Sequence, residues 1–122
     1  MPKTILVVDD DRLGVELVKR KLEEQGYEVP TAANGQEALD SLKSKIPDMI
    51  ILDVQMPDMN GYTFIIEKNK VPEYIKIPVV MLTASAETGP LFKRHGVKAY
   101  LLKPLKLPEL LAKVAEIAGP AV

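Results

Sequence analysis

Polar residues that could do chemistry follow directly after four short apolar runs. The runs occupy residues 5–8, 49–52, 79–82 and 100–102, and the residues that follow them are Asp9 and Asp10, Asp53, Thr83, and Lys103. Two carboxylates 4 Å apart repel by about 4 kcal/mol at an effective dielectric constant near 20, so three of them need compensation, most naturally by a cation. Without a metal, one carboxyl group would have to stay protonated or the cluster would have to open to water. Oxygen ligands favour Mg²⁺, and the charges of three carboxylates, Mg²⁺ and one lysine cancel. With no cysteine and one histidine, the sequence offers no cluster for a softer metal.

These residues require a fold that brings the ends of the apolar runs together. The runs are continuous rather than alternating, which is typical of strands buried on both faces. Between them lie apolar residues at helical spacing: Leu13, Leu17, Val18 and Leu22; Ala38, Leu39, Leu42 and Ile46; and Leu110, Leu111, Val114, Ile117 and Ala118. This alternation predicts an α/β fold, a doubly wound parallel sheet with helices on both faces. Ligands of such sheets bind at the carboxyl ends of the strands.

Boundary residues agree with this pattern. Gly26 is typical of the position after a helix, Asn34 with Glu37 of an N-terminal capping box, and Pro108 of a first helical turn. Asp11 is expected to cap the first helix. Pro30 lies in an alternating segment, residues 27–31, and therefore predicts an edge strand.

Two helices are less regular. One is predicted from residue 62 to about 70 and is stopped by Pro72. The other, between residues 88 and 96, has few apolar positions and contains Gly89-Pro90.

Length and composition limit the function classes. The chain has 122 residues, 47% of them hydrophobic and 27% charged, which predicts one folded domain over residues 1–122 with a core at about 4–118. The net charge of −1 disfavours direct nucleic-acid binding. The first apolar run is too short for a signal peptide or membrane span, so we expect a cytoplasmic protein without membrane insertion.

Four motifs together identify a resemblance. They are V-V-D-D at residues 7–10, L-D-V-Q-M-P-D-M-N-G at 52–61, T-A at 83–84 and Y-L-L-K-P at 100–104. In this order and spacing the sequence resembles the receiver domain of bacterial two-component response regulators, including the chemotaxis receivers. The resemblance implies a flavodoxin-like sheet of five parallel strands in the order 2-1-3-4-5.

The resemblance also implies roles for individual residues. Asp53 would be the phosphoacceptor, Thr83 and Lys103 would contact the phosphoryl group, and Thr83 and Tyr100 would form the switch. Mg²⁺ would be bound by Asp10, Asp53 and the backbone carbonyl of Gln55, with Asp9 holding the metal directly or through water. A cis peptide is implied between Lys103 and Pro104.

The implied function is a phosphorylation-activated signalling switch rather than an enzyme. The domain would accept its phosphoryl group from a histidine kinase or phosphotransfer protein, promoting its own phosphotransfer and autodephosphorylation. Its output would be a changed partner-binding surface, acting on a downstream protein or on an effector domain absent from this chain. The chain would be a stand-alone receiver or one excised from a longer regulator.

Other interpretations fit less well. A haloacid-dehalogenase-type enzyme also uses a strand-end aspartate, but Leu13 departs from that pattern and the length leaves no cap domain. A flavin binder would have a phosphate loop where three aspartates stand. The main alternative is a receiver-like interaction scaffold that is never phosphorylated, suggested by the irregular segment 86–96.

Overall fold

The computed structural model of the protein describes residues 2–53, 61–83 and 96–121. Their helices and strands, in chain order, are β1 (Ile5–Val8), α1 (Arg12–Glu24), β2 (Thr31–Ala32), α2 (Gly35–Ser44), β3 (Met49–Asp53), α3 (Gly61–Asn69), α4 (Pro72–Ile75), β4 (Val79–Thr83), β5 (Val97–Leu102) and α5 (Leu107–Ala118). The prediction for segment 88–96 concerns residues that, except for Gly96, lie outside this description.

The strands pair in parallel in the order β2-β1-β3-β4-β5, which confirms the predicted sheet. All residues of β1, β3 and β4 are buried, as their continuous apolar runs predict. One hydrophobic cluster joins the sheet to α1 and α5, and a second joins the other face to α2 and α3. Helices therefore cover both faces.

The edge strand predicted from Pro30 is β2, although it contains only Thr31 and Ala32. The carbonyl group of Pro30 accepts a hydrogen bond from the Val7 N–H at 3.0 Å. Upstream, Glu28 makes an isolated bridge to Thr4. The strand is at the edge because proline offers no N–H to a neighbour on the other side.

Two predicted helix faces need correction. In α1 the buried residues are Val15, Val18 and Leu22, whereas Leu13 is 84% and Leu17 46% exposed. At 100° per residue, positions 13 and 17 lie about 200° from position 15, so one face cannot include all of them. Ile46 is 46% exposed because it follows the end of α2 at Ser44.

The other boundary predictions hold, with two additions. Asn34 accepts a hydrogen bond from the Glu37 N–H at 2.9 Å, and Gly26 has φ +99°, so both helix-end predictions are confirmed. The helix predicted to stop before Pro72 ends at Asn69, but Pro72 then begins the unpredicted α4. Strand β5 begins at Val97, before the predicted run.

The residues after α5 are attached to the amino edge of the sheet. The Lys3 N–H donates to the Ala121 carbonyl at 2.7 Å, and the Lys3 ammonium group donates to the Ala118 carbonyl. The Tyr27 hydroxyl donates to the Gly119 carbonyl at 2.6 Å. Gly119 has φ +79°, a conformation that favours glycine. These contacts lie at the opposite edge of the sheet from Asp53.

Candidate functional site

The parallel register places two of the predicted carboxylates side by side. Val8 pairs with Leu52, so the next residues, Asp9 and Asp53, emerge together at the carboxyl edge of the sheet. One carboxylate oxygen from each of Asp9, Asp10 and Asp53 lies within 4.8 Å of the other two. Asp53 is buried, Asp9 half-buried and Asp10 exposed. The structure therefore brings together the three residues that the sequence predicts as metal ligands.

Lys103 supplies a positive charge to this cluster. Its Nζ atom lies 3.0 Å from Asp53 Oδ1, and the Asp53 side chain is only 3% exposed. The Lys103 N–H donates to the Thr83 carbonyl at 2.8 Å, which fixes the backbone from which the side chain extends. The peptide between Lys103 and Pro104 is cis, as the resemblance implies. A hydrogen bond between two ionised groups is stronger than one between neutral groups.

The ionisation of Asp9 reflects its burial first and the neighbouring Asp53 carboxylate second. Its pKa is raised to about 6, first by burial and then by the hydrogen bond and negative charge of Asp53. The Asp11 N–H, which donates to Asp9 Oδ1 at 3.0 Å, and the charge of Lys103 act in the opposite direction. At Asp9, burial and the Asp53 carboxylate therefore outweigh the Asp11 N–H and the charge of Lys103.

The donor set fits Mg²⁺. All three side chains offer hard carboxylate oxygens, and an octahedral ion at about 2.1 Å from each ligand spans oxygens up to about 4.2 Å apart. The observed spacing of up to 4.8 Å needs only a small contraction.

Two cavities open on either side of Asp9. One, of about 190 Å³, lies between α1 and the segment 103–105 and is lined by Asp9, Asp11, Gly14 and Lys103 above apolar residues. The other, of about 370 Å³, lies between the start of α1 and the loop after β2. Both cavities are lined in part by Asp9, so both border the acidic cluster.

Thr83 and Tyr100 lie on one face of the sheet. Tyr100 pairs with Met81, which belongs to the cluster against α2 and α3, and Tyr100 packs against that cluster. Thr83 is two residues beyond Met81 and therefore faces the same side, where it is 3% exposed. A residue and its diagonal neighbour on the next strand are within reach of an aromatic side chain.

Some predicted features are not described, and one contact was not predicted. Gln55, whose carbonyl group the resemblance assigns to the metal, lies outside the described residues. Asp11 is the N-cap residue of α1, as predicted, but its side chain makes no capping hydrogen bond. Its N–H binds Asp9 instead. The signal in the sequence is the Asp-x-Asp spacing, since an aspartate often accepts a bond from the N–H two residues later.

Comparison with known proteins decides the family. The sequence profile of the response regulator receiver domain matches residues 5–115. The chain belongs to the response regulator receiver domains. It is 32% identical over 123 residues to the polar-differentiation response regulator DivK of Brucella anthropi, a match that covers 99% of this chain and 100% of that protein.

Two other receiver proteins extend the comparison. The phosphate regulon transcriptional regulatory protein PhoB of Rhizobium meliloti is 35% identical over 116 residues, covering 93% of this chain and 51% of that protein. The structure of the chemotaxis response regulator CheY4 of Vibrio cholerae has a TM-score of 0.90 and 34% identity, covering 96% of this chain and 99% of that one.

This receiver domain is a phosphorylation-activated module of two-component signalling. Receiver domains are signalling modules that act with histidine kinases, phosphotransfer proteins and effectors, and they bind Mg²⁺ at an acidic pocket such as the cluster found here. The scaffold alternative is not favoured. Within the ranges described, no helix has the length and apolar character needed to cross a bilayer.

Proposed function

We propose that Asp53 is the phosphoacceptor and that the donor is a histidine kinase or a phosphotransfer protein. The observation that carries this assignment is the position of Asp53, a buried carboxylate that contacts Lys103 at 3.0 Å and shares a 4.8 Å cluster with Asp9 and Asp10. An Asp53 oxygen attacks the phosphorus of a phosphohistidine. A P–O bond forms, the P–N bond breaks, and the imidazole leaves with the electron pair and takes a proton from water.

The residues around Asp53 supply charge and alignment, which are the main requirements of phosphoryl transfer. Asp9, Asp10 and Asp53 would hold Mg²⁺, with the Gln55 carbonyl as a further ligand. When bound, the ion neutralises the negative charge of the phosphoryl oxygens. Lys103 exchanges its contact with Asp53 for one with a phosphoryl oxygen, and Thr83 donates from its hydroxyl group.

The response to phosphorylation uses the shared face of Thr83 and Tyr100. The phosphoryl group adds about one negative charge, which draws the Thr83 hydroxyl toward it. The Tyr100 ring, half-buried on the same face, then fills the space that Thr83 leaves. This change alters the surface around β5 that a downstream protein or effector domain would contact. Attack by water on the same phosphorus returns the domain to its first state.

Mass spectrometry after incubation with Mg²⁺ and a small phosphodonor tests this proposal. We expect a phosphoryl adduct on the wild-type protein and on Asp40→Asn, whose carboxylate is exposed on α2, and none on Asp53→Asn. If the wild-type protein forms no adduct, the phosphoacceptor assignment is wrong and the scaffold function is favoured instead. An adduct that persists in Asp53→Asn would place the phosphoacceptor at another residue.

A further inference from the structure

The turn between β2 and α2 contains an Asn-Gly pair whose chemistry the proposed function does not use. Asn34 precedes Gly35, so the pair holds the two groups that react in deamidation, a side-chain amide and the main-chain nitrogen of the next residue. That nitrogen reaches the asparagine Cγ atom most readily when glycine follows, because glycine has no Cβ atom to hinder the approach. The pair is therefore a candidate modification site that needs no enzyme.

The reaction consumes only water. The Gly35 nitrogen loses its proton to solvent and forms a bond to Asn34 Cγ, while the bond from Cγ to Nδ2 breaks and the amide nitrogen takes up a proton and leaves as ammonia. Water then opens the five-membered imide ring that has formed. Opening at Cγ gives aspartate, and opening at the main-chain carbonyl gives isoaspartate, in which the main chain is one methylene longer.

The folded turn holds the reacting atoms out of line. At ψ 176° the Gly35 nitrogen lies opposite the Asn34 nitrogen, which leaves it about 60° from Asn34 Cβ in rotation about the Cα–C bond. The imide ring requires the bonds to Cβ and to the Gly35 nitrogen to eclipse each other. Asn34 Oδ1 accepts a hydrogen bond from the Glu37 N–H at 2.9 Å, which opposes the rotation, and Gly35 is buried, which limits the access of a base.

Glu37 completes the capping box from its other side. Its Oε1 atom accepts a hydrogen bond from the Ala33 N–H at 3.1 Å, and its Oε2 atom lies 3.5 Å from Asn34 Nδ2. One side chain thus contacts both the residue before Asn34 and the amide that would react. These bonds are exposed to solvent, so the turn can open locally while the sheet stays folded.

We propose that Asn34 is a deamidation site gated by its capping box, so that the closed turn blocks the reaction and local opening of the turn permits it. The site is independent of the assignment of Asp53 as the phosphoacceptor. An aspartate at position 34 still caps α2, whereas isoaspartate lengthens the main chain and displaces the cap. Because Ala33 and Glu37 line the 370 Å³ cavity together with Asp10, isoaspartate also alters a wall beside the acidic cluster.

The test follows deamidation by peptide mass spectrometry, from the mass gained when an amide becomes a carboxyl group. In guanidinium chloride above the unfolding midpoint, Asn34 should react as fast as Asn60, which also precedes a glycine in the sequence. In the folded protein Asn34 should react at least about tenfold more slowly than in denaturant. Glu37→Ala should raise the rate in the folded protein about fivefold, the size of effect that a lost helix cap produces. Glu37→Gln should keep the slow rate, because glutamine also completes a capping box.

A second variant separates opening of the turn from unfolding of the whole protein. Tyr27→Phe removes the hydrogen bond to the Gly119 carbonyl at the opposite edge of the sheet, which lowers global stability without touching the turn. Its Asn34 should react at the wild-type rate. A rise equal to that of Glu37→Ala would overturn the gate, and so would equal rates in Glu37→Ala and wild type or in folded and unfolded wild type. If Asn60 reacts in denaturant and Asn34 does not, Asn34 is not a deamidation site.

Discussion

Lys103 compensates charge without being a metal ligand, since an ammonium group has no lone pair to offer. We therefore expect Lys103→Ala to bind Mg²⁺ at least as tightly as wild type. It should lose phosphorylation of Asp53 or the conformational change that follows. A Mg²⁺ titration, phosphoryl adduct mass and tyrosine fluorescence measure the three quantities. Lys106→Ala, at an exposed lysine before α5, is the matched control. Normal phosphorylation together with a normal fluorescence response in Lys103→Ala would refute the assigned role.

Asp9 should make metal binding sensitive to pH. Its pKa is raised from 3.8 to about 6, first by burial, so acidification below pH 6 protonates a proposed ligand. A group with pKa 6 is ionised in about one molecule in ten at pH 5, so Mg²⁺ affinity should fall about tenfold between pH 7 and pH 5. Asp9→Asn should bind more weakly at pH 7 but lose less affinity on acidification. If wild type and Asp9→Asn lose Mg²⁺ affinity equally on acidification, another group controls the pH dependence.

The same raised pKa affects the stability of the metal-free protein. Between pH 3.8 and about 6 the folded state holds a proton on Asp9 that the unfolded state has released. The free energy of unfolding therefore falls as the pH rises through this interval, and Asp9→Asn lacks this contribution. The Mg²⁺ titration and the unfolding curves thus depend on one titrating group.

At the scale of elements, α3 contains a lysine on its buried face. Phe64, Ile65 and Lys68 recur at helical spacing and are all fully buried. The Lys68 ammonium group donates to Asn69 Oδ1 at 3.2 Å, and burial lowers its pKa from 10.5 to about 8. The helix thus places an ionisable group where a hydrocarbon side chain would cost less free energy.

The buried Lys68 should make the free energy of unfolding depend on pH. Between pH 8 and pH 10.5 the unfolded chain holds a proton on Lys68 that the folded protein has lost, so the free energy of unfolding rises with pH in this interval. Lys68→Met should be more stable than wild type at pH 7. The difference in free energy of unfolding between Lys68→Met and wild type should become about 3 kcal/mol smaller between pH 7 and pH 10.5, at 1.36 kcal/mol per pKa unit. Denaturant titrations at each pH measure the free energy of unfolding. The control Lys76→Met changes an exposed lysine, so its free energy of unfolding should vary with pH as that of the wild type does.

The elements also mark the limit of prediction from the sequence. The continuous runs of β1, β3 and β4 identify buried strands because almost no other element combines such length and composition. The capping box at Asn34 can also be predicted, because it depends only on residues close in sequence. The rotation of α1 is not, because Leu13 and Leu17 match a helical period as well as Val15 does, and only packing on the sheet selects between them. The burial of Lys68 likewise depends on neighbours distant in sequence.

For the whole molecule, we expect the proposed metal site to couple Mg²⁺ binding to folding. Its carboxylates lie at the carboxyl ends of β1 and β3 and its lysine follows β5, so the unfolded chain has no comparable arrangement. At a Mg²⁺ concentration of one hundred times the dissociation constant, stability should increase by about 2.7 kcal/mol. Chemical unfolding with and without Mg²⁺ measures this increase. The increase should disappear in Asp10→Ala, which removes an exposed proposed ligand and leaves no buried cavity. An equal increase in that variant would exclude Asp10 from the site.

The contact between Lys3 and Ala121 makes the protein suited to circular permutation. Since these residues are hydrogen-bonded at the amino edge, a short glycine-rich linker between residues 2 and 121 should close the chain without strain. Reopening it between Lys45 and Ile46, both exposed at the same edge, leaves the acidic cluster untouched. We expect this permutant to keep the wild-type Mg²⁺ affinity. One reopened between Ala33 and Asn34, beside the cavity that Asp10 lines, should bind Mg²⁺ more weakly. Equal Mg²⁺ titration curves for the two permutants would contradict the expectation that only a break at the carboxyl edge of the sheet disturbs the acidic cluster.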